Sequence, residues 1–241
     1  MSAADEHLEA AFGRAEPEHF AWQTEGTYVA DEERALVRAA FEPLGARVLD
    51  LGCGEGATLV HLGEPAGAVG VDLFEPKLVA ARARLPKCEF VACSALSLPF
   101  DDGRFDHVLV RDVIHHIEEP DAVLDEIARV LAPGGRVDVL EPCRYNPLIA
   151  LHALTNVAER LELRSTPTFL ERLVARRFAR VTVERFQPLP VHRVLFHPKL
   201  GRPRAADIPL VRAAVGAFER AAGRVLPRLA WAYIHVRGEG R

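Results

Sequence analysis

Lysine is nearly missing from this chain: of its thirty Lys and Arg residues only Lys77, Lys87 and Lys199 are lysines. With abundant alanine, the bland reading of that bias is a GC-rich coding sequence. The functional reading, guanidinium forks gripping carboxylate or phosphate, is not selected by composition alone. Missing too is any apolar run approaching the ~18 residues a membrane-spanning helix needs. The acidic first residues, Met1 to His7, lack the basic-then-apolar order of a secretory signal, so a cytoplasmic chain is expected. The four cysteines (Cys53, Cys88, Cys93, Cys143) form no CxxC pair. Neither a zinc ribbon nor a disulfide framework is therefore expected, no metal is called for, and the thiols are expected to stay reduced. A net charge of −4 and a pI near 6.2 supply no basic surface for nucleic acid.

What is present is ordinary for a globular enzyme: 241 residues, 49% hydrophobic and 27% charged, without repeat, low-complexity tract or linker. One domain over residues 1–241 is expected. Residues 31–44 open with acids and carry apolar residues at helical spacing. Short apolar runs follow at 47–51, 68–73, 88–93, 105–112 and 136–141, with helical stretches near 75–85 and 121–131, the second capped by Asp121. Residues 147–160 read as a helix with a broad apolar face, and Thr166-Pro167 as cap and first turn of a helix running to about Arg177. A strand over 180–186, a proline- and arginine-rich stretch over 188–207 holding His192 and His197 as solvated loop residues, a helix over 208–225 and a strand over 230–237 complete the chain. Strands alternating with helices predict an α/β fold: a doubly wound, Rossmann-like sheet of seven strands, six parallel and the last antiparallel, with ligands beyond the carboxyl ends.

The sharpest local signal is the strand that ends in Asp50 and runs into Gly52-Cys53-Gly54-Glu55-Gly56-Ala57. Glycines there permit a tight turn and close backbone approach to a ligand. Asp72 ends the next strand, 22 residues after Asp50, where a carboxylate can accept both hydroxyls of a ribose. Gly52-x-Gly54-x-x-Ala57 also fits a permissive dinucleotide fingerprint, so an NAD(P)-dependent oxidoreductase competes. A carboxylate before the first glycine suits a cationic ligand, an amino group or sulfonium, better than a diphosphate.

Downstream come Leu98-Pro99-Phe100, Phe105 to Val108, His115-His116-Ile117-Glu118-Glu119-Pro120 and Leu131 to Val137 with its Pro133-Gly134-Gly135 turn. This ordered set resembles the class I S-adenosylmethionine-dependent methyltransferases, especially their small-molecule branch, over about residues 31–142. That resemblance implies S-adenosylmethionine as cofactor and S-adenosylhomocysteine as product. It implies Asp50, Gly52, Cys53 and Gly54 at the methionine end, Asp72 on the ribose and Leu73 on the adenine. Where the family commonly has an acid after the third strand, this chain has Ser94, followed by Ala95, whose backbone groups would take over the adenine contact. Arg111 would lie beside the cofactor, and Tyr28, with Trp22 and Gln23 before the first helix, would close over it. Residues 143–207 would contribute a substrate cover.

Methyl transfer from a sulfonium needs mainly alignment and exclusion of water; a base is needed only for an acceptor that must lose a proton. His115 and His116, after the fourth strand, are the candidates for that base, set against packing groups at a helix start. Asp112 and Glu141 are candidates to orient substrate or histidine, against mere capping of a following turn. Tyr145 and His152 lie on the covering segment, whose apolar stripe is either core or a hydrophobic acceptor pocket. The expected reaction is methylation, with oxygen favoured, of a small hydrophobic or natural-product-like acceptor. A non-catalytic cofactor-binding protein is the third reading, and a homodimer is left open. Nucleic acid as partner is disfavoured, because Arg111-Asp112-Val113-Ile114 replaces the Asn/Asp-Pro-Pro-aromatic motif of amino-base methylation.

Overall fold

A computed structural model of the chain describes residues 12–198 and 201–240, so the acidic start lies outside it. Seven strands make one sheet in the order β3-β2-β1-β4-β5-β7-β6. They are β1 (Val48–Leu51), β2 (Val69–Asp72), β3 (Glu89–Ala92), β4 (Phe105–Arg111), β5 (Leu131–Pro142), β6 (Arg180–Phe186) and β7 (Tyr233–Glu239). β7 runs antiparallel to β5 and β6, and the remaining pairings are parallel, as the sequence predicts. β1 pairs on one side with β2, Leu49 opposite Val69, and on the other with β4, Leu49 opposite Val108. The chain therefore reverses its winding between β1 and β4, which opens a crevice at their carboxyl ends. Both central strands read as apolar runs because helices cover both faces.

On one face, α1 (Pro17–Thr24), α2 (Tyr28–Phe41), α3 (Ala57–His61) and α4 (Glu75–Arg84) come from the first half of the chain. Leu36, Val37, Ala40 and Phe41 of α2 pack there against Val48, Leu59 and Leu78. The other face takes α5 (Pro120–Val130) and α7 (Pro167–Ala175), which bury Val123, Leu124, Ile127, Leu170, Leu173 and Val174. Thr166 caps α7, accepting the Phe169 N–H at 3.1 Å, as the Thr-Pro pair predicts. Asp121 does not cap α5. The helix starts one residue earlier, at Pro120, and Asp121 instead takes the guanidinium groups of Arg176 and Arg177.

Three further expectations change. The stretch 147–160 is not one helix: α6 (Pro147–Thr155) stops, and a 3-10 turn over Val157–Arg164 redirects the chain. Trp22 and Gln23 lie on a helix, α1, and Tyr28 begins α2 rather than preceding it. His192 is not a solvated loop residue. It starts the short helix α8 (His192–Leu195), is buried, and meets Glu219 at 2.8 Å. Glu219 lies on α9 (Pro209–Val225), and His197 packs edge-on against Trp22, ring centroids 5.0 Å apart. A composition of prolines and arginines masked those two contacts.

A buried ionic knot ties β4, β5 and β7 below the crevice. Asp138 is without solvent exposure and accepts from His107 Nε2 (2.8 Å), His235 Nε2 (2.8 Å), Arg237 Nε (2.7 Å) and Arg136 Nε (3.1 Å). Burial alone would raise its carboxyl, but the surrounding donors hold it far below the usual range. His107 is neutral, its pKa lowered by burial, and its Nδ1 accepts from Gly45 N–H at 3.3 Å. The bias toward arginine thus has work in the fold after all. Removing the shared carboxylate strands several buried donors together. Asp138→Ala is expected to cost about 3–5 kcal/mol in chemical denaturation. Because the native carboxyl is depressed, its contribution stands above the unfolded-state value near 3.9 and fades as pH falls below it. The loss should shrink in acid.

Candidate functional site

β1 delivers Asp50 to the crevice and then turns through three glycines with left-handed backbone, Gly52 at φ +70°, Gly54 at φ +53° and Gly56 at φ +88°. Gly52 is also a close approach: a Cβ there would lie 2.3 Å from Val113 Cγ2, so the loop packs directly on the turn that follows β4. From β2, Asp72 fastens the loop, its Oδ2 accepting Gly54 N–H at 2.9 Å and its Oδ1 accepting Phe74 N–H at 3.0 Å. Next to it, Leu73 is 43% exposed, an apolar surface at the crevice mouth. Cys53 is buried, with its thiol pushed up by that burial. After β3, the Ser94 hydroxyl accepts Leu96 N–H at 3.2 Å and its carbonyl accepts Ser97 N–H at 3.1 Å, so Ser94 holds the turn through side chain and backbone, with Ala95 half-buried.

Asp50 is the anomaly. It is 1% exposed and its Oδ2 has no hydrogen-bond partner. Burial raises its pKa to about 7, with the Arg111 charge opposing and Asp72 adding to the rise. Such an oxygen is costly unless something cationic or N–H-bearing meets it.

Arg111, at the end of β4, spends its side chain on the fold: it ion-pairs with buried Glu33 of α2 and, at 3.4 Å, with Asp112. Arg193 of α8 completes the group on Glu33 and lies 4.9 Å from the Tyr233 ring centroid. Opposed by burial, these two guanidinium groups still hold the Glu33 carboxyl below its usual range. Tyr28 sits in a satellite core, edge-on to His192 and Phe196, with Arg212 5.2 Å from its ring centroid.

After β4, a 3-10 turn (Ile114–His116) presents the two histidines. Glu141 of β5 caps it, accepting N–H groups of Val113 (2.8 Å), Ile114 (2.7 Å) and His115 (3.4 Å), and holds His115 Nδ1 at 2.6 Å. On its far side His115 faces Glu159, Nε2 to carboxylate 3.7 Å. Burial works against the imidazolium, but Glu141 outweighs it and raises His115 to about 10. His116, ring centroid 3.9 Å away, goes the other way: burial and the neighbouring charge lower it to about 4. Its Nε2 lies 3.8 Å from Glu159 and its Nδ1 is buried without a partner. At neutral pH the pair is one cation and one neutral ring. Among the described residues, His115, His116 and Glu159 are the group whose atoms could converge on a metal ion, within 4.8 Å of one another.

Two sets of candidates thus come together across the crevice. Asp50, Gly52, Cys53, Gly54, Asp72, Leu73, Ser94 and Ala95 form one wall; Asp112, His115, His116 and Glu141 form the other. Asp112, with φ +55°, holds a strained turn between them. Tyr145 lies exposed just beyond β5, beside Arg144. Glu33, Arg193 and Glu159 were missed by sequence reasoning. Glu159 was hidden because an apolar stripe read as continuous helix breaks after Thr155, and only that break carries it to the histidines.

A family model described as "Methyltransferase domain" matches residues 49–138. A demethylmenaquinone methyltransferase of Thermus thermophilus is 42% identical over 115 residues, 45% of this chain and 52% of that protein. The chloroplastic tocopherol O-methyltransferase of Arabidopsis thaliana is 33% identical over 108 residues, 42% of this chain and 31% of that one. The chain spans about half the length of the bacterial relative and a third of the plant one. Among solved structures, the Haemonchus contortus phosphoethanolamine N-methyltransferase 2 complex has a TM-score of 0.69 at 18% identity, covering 100% of this chain and 60% of that one. A SAM-dependent methyltransferase from Archaeoglobus fulgidus has a TM-score of 0.63 at 16% identity, covering 93% and 100%. Those two likenesses concern the fold. The matched model, the ordered motifs and the crevice they build together support a class I S-adenosylmethionine-dependent methyltransferase domain over residues 49–138.

Proposed function

We propose that the protein transfers the methyl group of S-adenosylmethionine to a small, hydrophobic acceptor, with oxygen as the favoured atom. The observation that carries this reading is the buried Asp50 oxygen without a partner. A cationic amino group in the crevice supplies the missing donor, whereas a dinucleotide diphosphate would set like charge against Asp50 and Asp72. Asp50, Gly52 and Gly54 would hold the amino-acid end, Asp72 the ribose hydroxyls and Leu73 the adenine face, with the Ser94 and Ala95 backbone at its edge. When bound, the cofactor supplies an electrophilic methyl on a sulfonium.

The chain's own part is alignment, dryness and proton handling. Glu141 fixes the 3-10 turn through three N–H groups and so sets where the histidines stand. His115, already protonated between two carboxylates, serves as a positioning residue and an electrostatic counterweight to Glu159. His116 is neutral and can take a proton at Nε2. The acceptor oxygen would bond the methyl carbon as the sulfur–carbon bond breaks, with the oxygen's proton passing to His116. α6 and the 3-10 turn after it would form the acceptor's cover.

Calorimetric titration with S-adenosylhomocysteine tests the reading. Asp50→Asn is expected to weaken binding roughly 10–100-fold, the size of a lost charge-assisted hydrogen bond. In the unaltered chain affinity should climb as pH rises through about 7, where Asp50 gives up its proton, and Asp50→Asn should remove that climb. Binding of NADH instead, or an unchanged affinity in Asp50→Asn, overturns it. With labelled S-adenosylmethionine and hydroquinone acceptors, His116→Ala should lower turnover by about 10²–10⁴-fold with cofactor affinity unchanged. Because His116 is lowered to about 4, the rate at saturating S-adenosylmethionine should lack the inflection near 6.5 that belongs to an ordinary imidazole.

A further inference from the structure

A surface helix of a globular protein buries its apolar stripe and shows water a polar one. α9 does otherwise. It buries Val215, Gly216 and Glu219, yet its outward positions Leu210, Ala214, Ala217, Phe218, Ala221 and Val225 are all exposed and all apolar. Leu210 is 78% exposed, Phe218 54% and Val225 84%. A groove of about 400 Å³ runs beside Phe218 to Leu148 of α6 and to Val194 and Leu195 of α8. On α6, Leu151 and Leu154 also stand in solvent. Three elements so expose apolar side chains around one groove, the kind of surface that marks an interaction site.

Charge names the occupant. Residues 201–230 hold six arginines (Arg202, Arg204, Arg212, Arg220, Arg224, Arg228) against two acids, Asp207 and Glu219; Glu219 is turned inward onto His192, while Arg212 is matched by Asp31 of α2 at 2.8 Å. This local excess sits in a chain whose net charge is −4. A two-fold dimer through the tract would bring one arginine-rich rim against another, which costs rather than gains. An apolar helix face edged with arginine, about 25 Å long at 1.5 Å per residue, matches the interface of a negatively charged bilayer. There the apolar side chains enter the headgroup boundary and the guanidinium forks meet lipid phosphates.

We propose that the α6–α8–α9 tract docks this protein on an anionic lipid surface. The docking does not depend on methyl transfer, so the two can fail separately. The test is flotation of the full chain, without cofactor, with vesicles of equal parts phosphatidylglycerol and phosphatidylcholine, against phosphatidylcholine alone. The unaltered chain should float with the anionic vesicles, and added salt should weaken it. The double variant Arg220→Gln/Arg224→Gln should lose roughly 30-fold in partitioning, the factor for two arginines near an anionic surface. Leu210→Ser/Phe218→Ser should lose binding while keeping the parent's affinity for S-adenosylhomocysteine. Equal partitioning onto both vesicle types overturns the proposal. So does absence of flotation, whether or not light scattering then shows a concentration-dependent dimer; if a variant fails to fold, the comparison of vesicles with the unaltered chain still decides.

Discussion

Among the described residues, four carboxylates are at most 1% exposed, and how each finds a partner organises the rest. Glu33, Asp138 and Glu141 have no exposure and Asp50 only 1%. A buried carboxylate must be matched or give up its charge. Glu33 gathers Arg111 and Arg193, joining α2, β4 and α8. Asp138 gathers two histidines and two arginines across β4, β5 and β7. Glu141 takes backbone N–H groups and His115, stitching β5 to the turn after β4. Asp50 alone keeps an oxygen without a partner, and it stands where the winding of the sheet reverses. Three of these groups build the scaffold; the fourth leaves a buried acceptor unmet at the crevice.

The same accounting separates two adjacent histidines that the sequence presents as equals. One stands between carboxylates and keeps its proton; its neighbour, buried beside that charge, stays neutral. Division of labour on one turn therefore comes from the elements packed around it, β5 behind and the 3-10 turn in front, and not from the histidines themselves.

The sheet was legible in the chain because most of its strands are short apolar runs closed by glycine or acid; six fall within three residues of their expected places, while β5 begins at Leu131 rather than 136 and takes in Pro133-Gly134-Gly135. Local chemistry was legible for the same reason: a glycine loop with an acid at each end, and a Thr-Pro cap, are neighbours in sequence. What stayed hidden were pairings across long separations. Glu33 meets Arg111 78 residues away, and His192 meets Glu219 27 residues away. No periodicity announces such contacts. Arginine showed the limit most plainly. Its abundance was assigned to coding bias, yet Arg111, Arg136, Arg193 and Arg237 hold buried acids, and Arg129 and Arg177 make forked bonds to Glu126 and Asp125.

The missing side chain at Gly52 has a further bearing. Its place is filled by Val113, so the floor under the glycine loop is the segment that leads into the histidine turn. The two loops belong to different strands, yet neither can change size alone. Any bulk gained at position 52 would have to be surrendered at 113, or the histidine turn would be shoved off its Glu141 tether. The glycine loop and the histidine turn are thereby mechanically geared, and positions 52 and 113 would be expected to change as a pair.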